Sequence, residues 1–426
     1  MTDAAGDREL PDFFTEAEVH EDVPAYMHEL RGRCPVYREP HHDVVMVTGY
    51  AQAVDVLSNK REDFSSCLTV TGPIPPLPFT PEGDDISAQL ARHRDALPWS
   101  EHLVSHDGAS HIAQRTLLTQ LLTHRRLRQN EDYLLGLSDR LIDRFIDRGS
   151  CEITKDYAHA MSTLVICDLL GVPHEDRDML VETLGAPPTQ LGEEDFKVET
   201  NPHGFLHPLF KTYLEERIAH PRDDMMSELV HSHYRDGSKP DIDTLVRLAT
   251  FLFGAGQDTS ARLVSFSFKL LGESPALQAR LRADPGSIPD FIEEALRAES
   301  PVQALSRLAV RSTSLAGVPI PAGSIVTVCL GGANRDPLRF ADPDRVDIDR
   351  SGLRDQIAFS RGAHACPGAP LARMEARVTL ERFLSRTRQI RISEAHHGPP
   401  GARRFSHEPT YLLHGLTELH IEFDRA

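Results

Sequence analysis

The sequence predicts a mainly α fold with a small β portion, and two observations carry this prediction. Helical spacing of apolar residues dominates from about residue 110 to 298, whereas short β-branched runs are confined to residues 44–48, 324–329 and 418–423. No internal repeat or low-complexity linker divides the 426 residues. We therefore expect a single domain, residues 1–426, built around one large core.

The composition argues against several classes of protein. The sequence holds no run of about 18 apolar residues that could span a membrane. Its first thirty residues carry nine acids and no apolar stretch like that of a signal peptide. The net charge of −18 argues against general nucleic-acid binding. The six cysteines lack the paired spacing of a disulfide framework or a zinc site. We expect a cytoplasmic protein.

Two proline-containing segments, residues 71–102 and 185–204, are expected to be irregular. Loops of this length inside a compact domain usually form lids or binding loops, or remain disordered. We expect them to shape a pocket and its entrance, with surface loops of no function as the alternative.

The most informative segment, residues 359–368, reads FSRGAHACPG. A helix is predicted directly after it because Leu371, Met374 and Val378 share one helical face. Cys366 therefore lies at a helix N-terminus, where the dipole and free N–H groups favour a thiolate. A thiolate is the form of cysteine that binds a metal. For an isolated cysteine, a buried residue without function would be the alternative.

Residues 244–271 are predicted to form one long helix. Asp241 or Asp243 offers an N-cap, and Gly272 offers a stop. Such a helix would be about 42 Å long, enough to cross the molecule.

The middle of this helix contains Gly254 and Gly256, each of which costs about 1 kcal/mol relative to alanine. The Thr259 hydroxyl can bond back to the carbonyl near Ala255, which bends a helix. Together with the neighbouring Asp258, these features predict a local opening. A solvent-facing Asp–Thr pair is the alternative.

The cysteine segment resembles the haem-binding loop of the cytochrome P450 family, Phe-x-x-Gly-x-(His/Arg)-x-Cys-x-Gly. Phe359, Gly362, His364, Cys366 and Gly368 match every specified position. Three further motifs follow the family's order, so the resemblance covers nearly the whole chain. It implies a triangular prism enclosing haem b, with Cys366 as the iron ligand.

The segment Ala255-Gly-Gln-Asp258-Thr259 is similar to the family's oxygen-activation motif. The resemblance implies that Asp258 and Thr259 relay protons during oxygen activation. It also implies that the haem propionates are bound by basic side chains, namely His111, Arg115, Arg307 and His364.

A short helix is predicted over residues 291–298, where Asp290 and Glu293 have the spacing of a capping box. Glu294 and Arg297 are then free to pair at i, i+3. They are similar to the family's Glu-x-x-Arg motif, whose third partner would be Arg345. We interpret this group as structural, with a surface ion pair as the alternative.

The resemblance implies a monooxygenase that inserts one atom of O2 into a hydrophobic organic substrate. A peroxide-driven hydroxylase and a haem-thiolate sensor without turnover are alternatives, and the acid–alcohol pair disfavours both. Turnover with O2 and an electron donor would discriminate among the three. The candidates to face the substrate are Phe79, Trp99, Leu206, Ala255, Leu305 and Leu412.

The sequence contains no flavin, nicotinamide or iron–sulfur fingerprint, so we expect electrons from a separate protein. Residues 110–129 carry arginines and no acid, which is unusual in so acidic a chain. This predicts a docking site for an acidic, ferredoxin-type donor near Arg125, Arg126 and Arg128, with Arg373 and Arg377 close by. The alternative is that these arginines neutralise nearby acids.

Overall fold

Helices make up most of the structure, a computed structural model that describes residues 10–184 and 204–426. Apart from Gly204, the predicted irregular segment 185–204 lies outside the described residues. The α-helices are α1 (Val23–Arg33), α2 (Tyr50–Ser58), α3 (Ser87–His93), α4 (Gly108–Leu121), α5 (His124–Asp143), α6 (His159–Leu170), α7 (His174–Leu184), α8 (His207–Ala219), α9 (Met225–Val230), α10 (Ile242–Glu273), α11 (Pro275–Ala283), α12 (Ile288–Ala298), α13 (Leu330–Ala333), α14 (Ala369–Arg386) and α15 (Glu394–His397).

The strands form three small sheets, with the orders β1-β2-β8-β5-β3, β4-β10-β9 and β6-β7. Strands β2 and β8 are parallel, and the other pairs are antiparallel. The strands are β1 (Val36–Arg38), β2 (Val45–Val47), β3 (Phe64–Ser65), β4 (Ser150–Glu152), β5 (Ala304–Ala309), β6 (Thr313–Leu315), β7 (Val318–Ile320), β8 (Ile325–Cys329), β9 (Thr387–Ile392) and β10 (His420–Arg425).

The predicted long helix is α10, and it is longer than expected. It starts at the N-cap Asp241, whose side chain accepts from Thr244 N at 2.7 Å. Its 32 residues correspond to about 48 Å. Gly272 does not end it, because Ser274 is the C-cap. Gly272 instead allows Ile392 of β9 to approach, since an added Cβ would lie 2.6 Å from Ile392 Cγ1.

Helix α10 is buried by the elements around it, and this fixes the position of its middle. It packs against α6, α8, α12 and α14, as well as against β9. Its apolar side chains belong to the largest hydrophobic core of the described chain. Residues 71–102 are irregular as predicted, apart from α3 and a short 3-10 turn at Arg94–Ala96. No helix of the described residues is long and apolar enough to cross a membrane.

A buried ion-pair cluster lies on α12. Arg297 donates from Nε and Nη2 to the two carboxylate oxygens of Glu294, at 2.7 and 2.8 Å, and both side chains are 0% exposed. The third partner is Arg350, whose Nε donates to Glu294 Oε1 at 3.2 Å. The prediction of Arg345 in this position is therefore wrong. Arg345 contributes its main-chain carbonyl, which accepts from Arg297 at 3.3 Å.

The predicted capping box on α12 is also wrong. The helix begins three residues earlier than expected, at Ile288, with Ser287 as its N-cap. Glu293 is consequently in the body of the helix and is buried. Its carboxylate accepts from Arg373 of α14 at 2.5 Å and from Gln356 at 3.0 Å. Glu293 thus ties α12 to the helix that follows Cys366.

Removing the Glu294 carboxylate should strand the buried Arg297 and Arg350. Glu294→Ala is expected to lower the free energy of unfolding by roughly 3–5 kcal/mol and to leave little folded protein. Asp290→Ala is the control, because Asp290 lies on the same helix in an exposed pair with Arg354. Urea unfolding of both variants checks this, and equal, small losses would show that the buried cluster contributes little.

Candidate active site

The candidate site is a cavity between the middle of α10 and the segment around Cys366. Its walls are largely apolar. Helix α10 contributes Phe251, Leu252, Ala255, Gly256, Thr259, Ser260 and Leu263. The facing segment contributes Ala358, Phe359, Ser360, His364, Cys366, Pro367, Gly368, Leu371 and Ala372. Other parts of the chain contribute Thr69, Leu103, Val104, His111, Arg115, Leu118, Leu122, Ile166, Leu296, Pro301, Val302, Leu305, Arg307 and Leu330.

A tight hairpin presents Cys366 to this cavity. Cys366 N donates to Phe359 O at 2.8 Å, and Ala365 N donates to Gly362 O at 3.1 Å. Gly362 has φ +72°, and an added Cβ would lie 2.6 Å from Leu57 O, so the hairpin requires glycine. Cys366 counts as exposed because it is open to the cavity that it lines. The surrounding protein nevertheless desolvates the thiol.

Opposing influences act on the pKa of the Cys366 thiol. Burial raises its pKa, whereas hydrogen bonds from the N–H groups of Gly368 and Ala369 and the charge of Arg115 lower it, and burial prevails. The helix N-terminus predicted from the sequence is present, since α14 starts at Ala369. However, it does not suffice to ionise the thiol. A metal cation bound to the sulfur would deprotonate it.

Four basic side chains, His111, Arg115, Arg307 and His364, gather at one edge of the cavity. The rings of His111 and His364 lie 4.0 Å apart. Burial is the largest cause of two lowered pKa values. It lowers the pKa of His111 to about 4 and that of Arg307 to about 10. One acid, Asp107, lies near them, with Oδ1 3.7 Å from His364 Nε2.

The two arginines of this cluster form no ion pair with any described residue. Arg307 donates to Thr69 Oγ1 and to the carbonyl of Ser306, both at 2.8 Å. Arg115 donates to the carbonyl of Ala365. Buried cations need anionic partners, so this edge of the cavity fits a ligand with carboxylates. Haem b has two propionates for this edge, a flat apolar face for the walls and an iron for the thiol.

Thr259 and Asp258 occupy different environments, although they are adjacent on α10. Thr259 lines the cavity, and its hydroxyl donates to the carbonyl of Ala255 at 2.9 Å. Asp258 is not among the described residues that line the cavity. It accepts instead from Arg262 Nε and Nη2, both at 3.1 Å. The acid and the alcohol are therefore not in contact with each other.

The structure brings two of the six substrate candidates, Ala255 and Leu305, to the cavity wall. The other four do not line this cavity, and their side chains have other neighbours in the described chain. Phe79 stacks on His93 with ring centroids 5.0 Å apart, and Trp99 packs on His102 at 4.8 Å. Leu206 is 2% exposed in the main core. Leu412 packs in the core that covers the N-terminal segment.

Sequence reasoning missed several residues of the apolar wall. Phe251 and Leu252 lie one turn before Ala255 on α10, so helical spacing alone could have identified them. Val104 and Val302 lie in connecting segments. No periodic pattern marks such positions.

The predicted basic patch is partly neutralised. Arg125 and Arg128, near the start of α5, are exposed and form no ion pair within the described residues. The other arginines of the patch are paired, as the alternative interpretation expects. The pairs are Arg126 with Glu228, Arg373 with Glu293, and Arg377 with Glu131 and Glu381.

A mainly α fold with a cysteine hairpin beneath its longest helix and a cationic edge for carboxylates defines a haem-binding class of protein. The family model "Cytochrome P450" matches residues 288–393. The chain is 32% identical to cytochrome P450 144 of Mycobacterium tuberculosis over 394 residues, 90% of this chain and 86% of the relative. It is 30% identical to 6-deoxyerythronolide B hydroxylase of Saccharopolyspora erythraea over 88% of this chain and 91% of the relative.

Solved structures agree with these relatives. Substrate-free cytochrome P450 CYP150A6 of Mycobacterium marinum is similar with a TM-score of 0.91 and 46% identity, covering 98% of this chain and 99% of that one. P450BioI, solved with a fatty-acid-ligated acyl carrier protein, has a TM-score of 0.79 and 26% identity, with 96% and 99% covered. The chain belongs to the cytochrome P450 family, whose members are haem b monooxygenases.

A second acid near α10, Glu375 of α14, was not anticipated from the sequence. It is 1% exposed, and burial raises its pKa to about 8, although hydrogen bonds from Ser162 and Ser260 oppose this. Ser260 is at the same time part of the cavity wall. Glu375 is thus a buried acid with a raised pKa that contacts the cavity wall through the Ser260 hydroxyl.

Glu375 should make stability pH-dependent. Its pKa is higher in the folded state than in the unfolded state. The contribution of Glu375 to the free energy of unfolding is therefore fully present below pH 4.5, its unfolded-state pKa, and is lost as the pH rises to about 8. Glu375→Gln cannot ionise, and its stability relative to the parent should rise by about 1.4 kcal/mol per pH unit in this window. Chemical unfolding between these pH values checks this. Glu381→Gln, on the same helix, is the control, and a flat difference for Glu375→Gln would refute the shift.

Proposed function

We propose that this protein inserts one oxygen atom from O2 into a hydrophobic organic substrate, with electrons supplied by a separate protein. The observation that carries the proposal is the cavity that combines a cysteine thiol, two arginines without an ion-pair partner among the described residues and a threonine hydroxyl within apolar walls. The reaction is RH + O2 + two electrons + two protons → ROH + H2O, in which the substrate is oxidised and O2 is reduced.

Each part of the cavity has a role in this proposal. Cys366 would ligate the iron through its thiolate. The basic cluster of His111, Arg115, Arg307 and His364 would bind the propionates, and Phe359 and Gly368 would help to hold the cofactor. A bound haem b supplies the iron at which O2 is reduced and from which oxygen is transferred.

The protein's own acid and alcohol handle the protons. Thr259 Oγ1 lines the cavity and can pass a proton inward, while Asp258 lies on the adjacent position of α10 and can replenish it. A peroxide-driven hydroxylase would not need this pair, and a sensor would not need to move protons. The acid–alcohol pair therefore supports the O2-dependent reaction over these two alternatives.

The apolar wall supports a hydrophobic substrate. Phe251, Leu252, Ala255, Val302 and Leu305 offer van der Waals contact rather than hydrogen bonds. Similar structures were solved with testosterone and with a hexadec-9Z-enoic acid-ligated carrier protein. These two ligands are therefore useful probes in a spectral binding screen.

The iron ligand can be tested by spectroscopy. The reduced protein with CO should show the strongly red-shifted Soret band of thiolate-ligated haem. Cys366→His should lose this band even where haem is retained, because imidazole replaces the thiolate. Cys34→Ser, at a half-buried cysteine elsewhere, should keep it. The assignment fails if Cys366→His keeps the band.

We propose further that an acidic, ferredoxin-type donor docks near Arg125, Arg126 and Arg128. Helix α5 packs along α14, the helix that follows Cys366, so the patch lies on the thiolate side of the cavity. Arg125 and Arg128 are available to a partner, whereas Arg126 is already paired with Glu228. Electrostatic steering should therefore depend mainly on these two arginines.

Charge reversal tests the docking site. Arg125→Glu with Arg128→Glu should slow reduction by a ferredoxin and flatten its dependence on salt, while CO binding and reduction by dithionite stay unchanged. The control is Arg235→Glu with Arg388→Glu, which changes the net charge equally at exposed positions on other elements. Equal rates and equal salt dependence in both double variants would show that the donor docks elsewhere.

A further inference from the structure

Asp258 shares one buried guanidinium with a second carboxylate. Arg262 Nη2 donates both to Asp258 Oδ2 at 3.1 Å and to Glu408 Oε2 at 2.6 Å. The side chain of Arg262 is 4% exposed and that of Glu408 is 12% exposed. Two acids and one base leave this cluster with an excess of negative charge. Arg262 therefore remains neutralised when either carboxylate leaves it.

The backbone at Gly415 restricts the position of the Arg262 guanidinium. An added Cβ on Gly415 would lie 2.0 Å from Arg262 Nη1, so the guanidinium lies directly against the backbone there. Glu408 N donates to Gly415 O at 3.0 Å, which fixes the loop that carries both residues. Arg262 Nη1 has no hydrogen-bond partner among the described residues. The guanidinium is held by its two carboxylates and by this loop.

The same loop is hydrogen-bonded to the cavity wall. Gln303 N donates to Leu412 O, and His414 N donates to Pro301 O, both at 2.8 Å. Pro301 lines the cavity. A ligand that displaces this part of the wall would therefore move the loop, and with it the carboxylate that competes for Arg262.

We propose that Glu408 is a positioning residue that allows Asp258 to leave Arg262 and turn towards Thr259. The proposal rests on the proton-handling role proposed above for Asp258. In the described arrangement both oxygens of Asp258 accept from Arg262. Breaking a buried ion pair normally strands a charge, but Glu408 keeps Arg262 paired.

The transferred protons are those that the reduction of O2 proposed above consumes, so the step needs no further reactant. Asp258 takes up a proton from solvent on one carboxylate oxygen and donates it to Thr259 Oγ1. The proton of the Thr259 hydroxyl moves on into the cavity. Asp258 is again a carboxylate and returns to Arg262.

A double-mutant cycle tests whether the two acids share Arg262. In the haem-loaded full chain, Asp258→Asn and Glu408→Gln should each lower Tm only slightly, because the other carboxylate still neutralises Arg262. The double variant strands the buried guanidinium and should lower Tm by clearly more than the sum of the single changes. Additive changes in Tm would overturn the proposal.

Kinetics test the positioning role itself. With a surrogate ferredoxin and its reductase, and without added substrate, NADH-driven O2 consumption is measured in H2O and in D2O. Glu408→Gln should slow it several-fold and enlarge the solvent isotope effect, while the affinity for CO stays unchanged. Glu418→Gln is the control, since Glu418 lies on the same C-terminal segment, is 47% exposed and pairs with His420.

Asp258→Asn separates the two proposals. If it leaves O2 consumption and the isotope effect unchanged, the proton-handling role of Asp258 is wrong, and the role of Glu408 is wrong with it. If Asp258→Asn slows the reaction and Glu408→Gln does not, the positioning role alone is overturned. Slowing in both, with Glu418→Gln unchanged, supports both.

Discussion

Two guanidinium groups at the edge of an apolar cavity, neither in an ion pair with a described residue, are the constraint on which the rest of this structure depends. Arg307 is buried and Arg115 is half-buried, and both donate to carbonyl or hydroxyl oxygens of the protein, so no described carboxylate contacts either guanidinium directly. Burying a charge is unfavourable unless it is paired. A dianionic cofactor removes this penalty, and by binding the folded state it also stabilises it. Bound haem is therefore expected to stabilise the fold as well as to supply the chemistry of the site.

The buried ion pair on α12 supports the cysteine hairpin through a short chain of contacts. Arg297 Nη1 donates to the carbonyl of Asn334 at 3.1 Å, and Asn334 Oδ1 accepts from Ile357 N at 2.8 Å. Ile357 precedes the hairpin by two residues. Because Glu294 holds Arg297 in place with two hydrogen bonds, a group remote from the chemistry determines where the thiol lies. These contacts support the interpretation of the pair as structural rather than catalytic.

Local sequence patterns predicted the structural features that depend on residues close together in the chain. The long helix, the helix after Cys366 and the bond from Thr259 to Ala255 all follow from short-range spacing. Partners distant in sequence were not predictable in this way. Arg350 rather than Arg345 reaches Glu294, because the turn of the chain after residue 343 decides which side chain points inward. Likewise Glu408 lies 146 positions from Arg262, and no spacing rule indicates that pair. Phe79 and Trp99 are in irregular segments, where apolar character does not reveal the direction of a side chain.

Two acids near the middle of α10, Glu375 of α14 and Asp258 of α10 itself, have different electrostatic surroundings. Among the described residues no cation lies beside Glu375; burial raises its pKa, and it accepts hydrogen bonds from Ser162 and Ser260. Asp258 has a guanidinium against both oxygens and acts as an acceptor. Chemically similar acids therefore differ in what surrounds them, with hydroxyl donors around Glu375 and a guanidinium beside Asp258. Because Ser260 and Thr259 are adjacent on the cavity wall, the chain brings a hydroxyl from each environment to the same cavity. The placement of Arg262 beside Asp258, and not beside Glu375, accounts for the difference between the two environments.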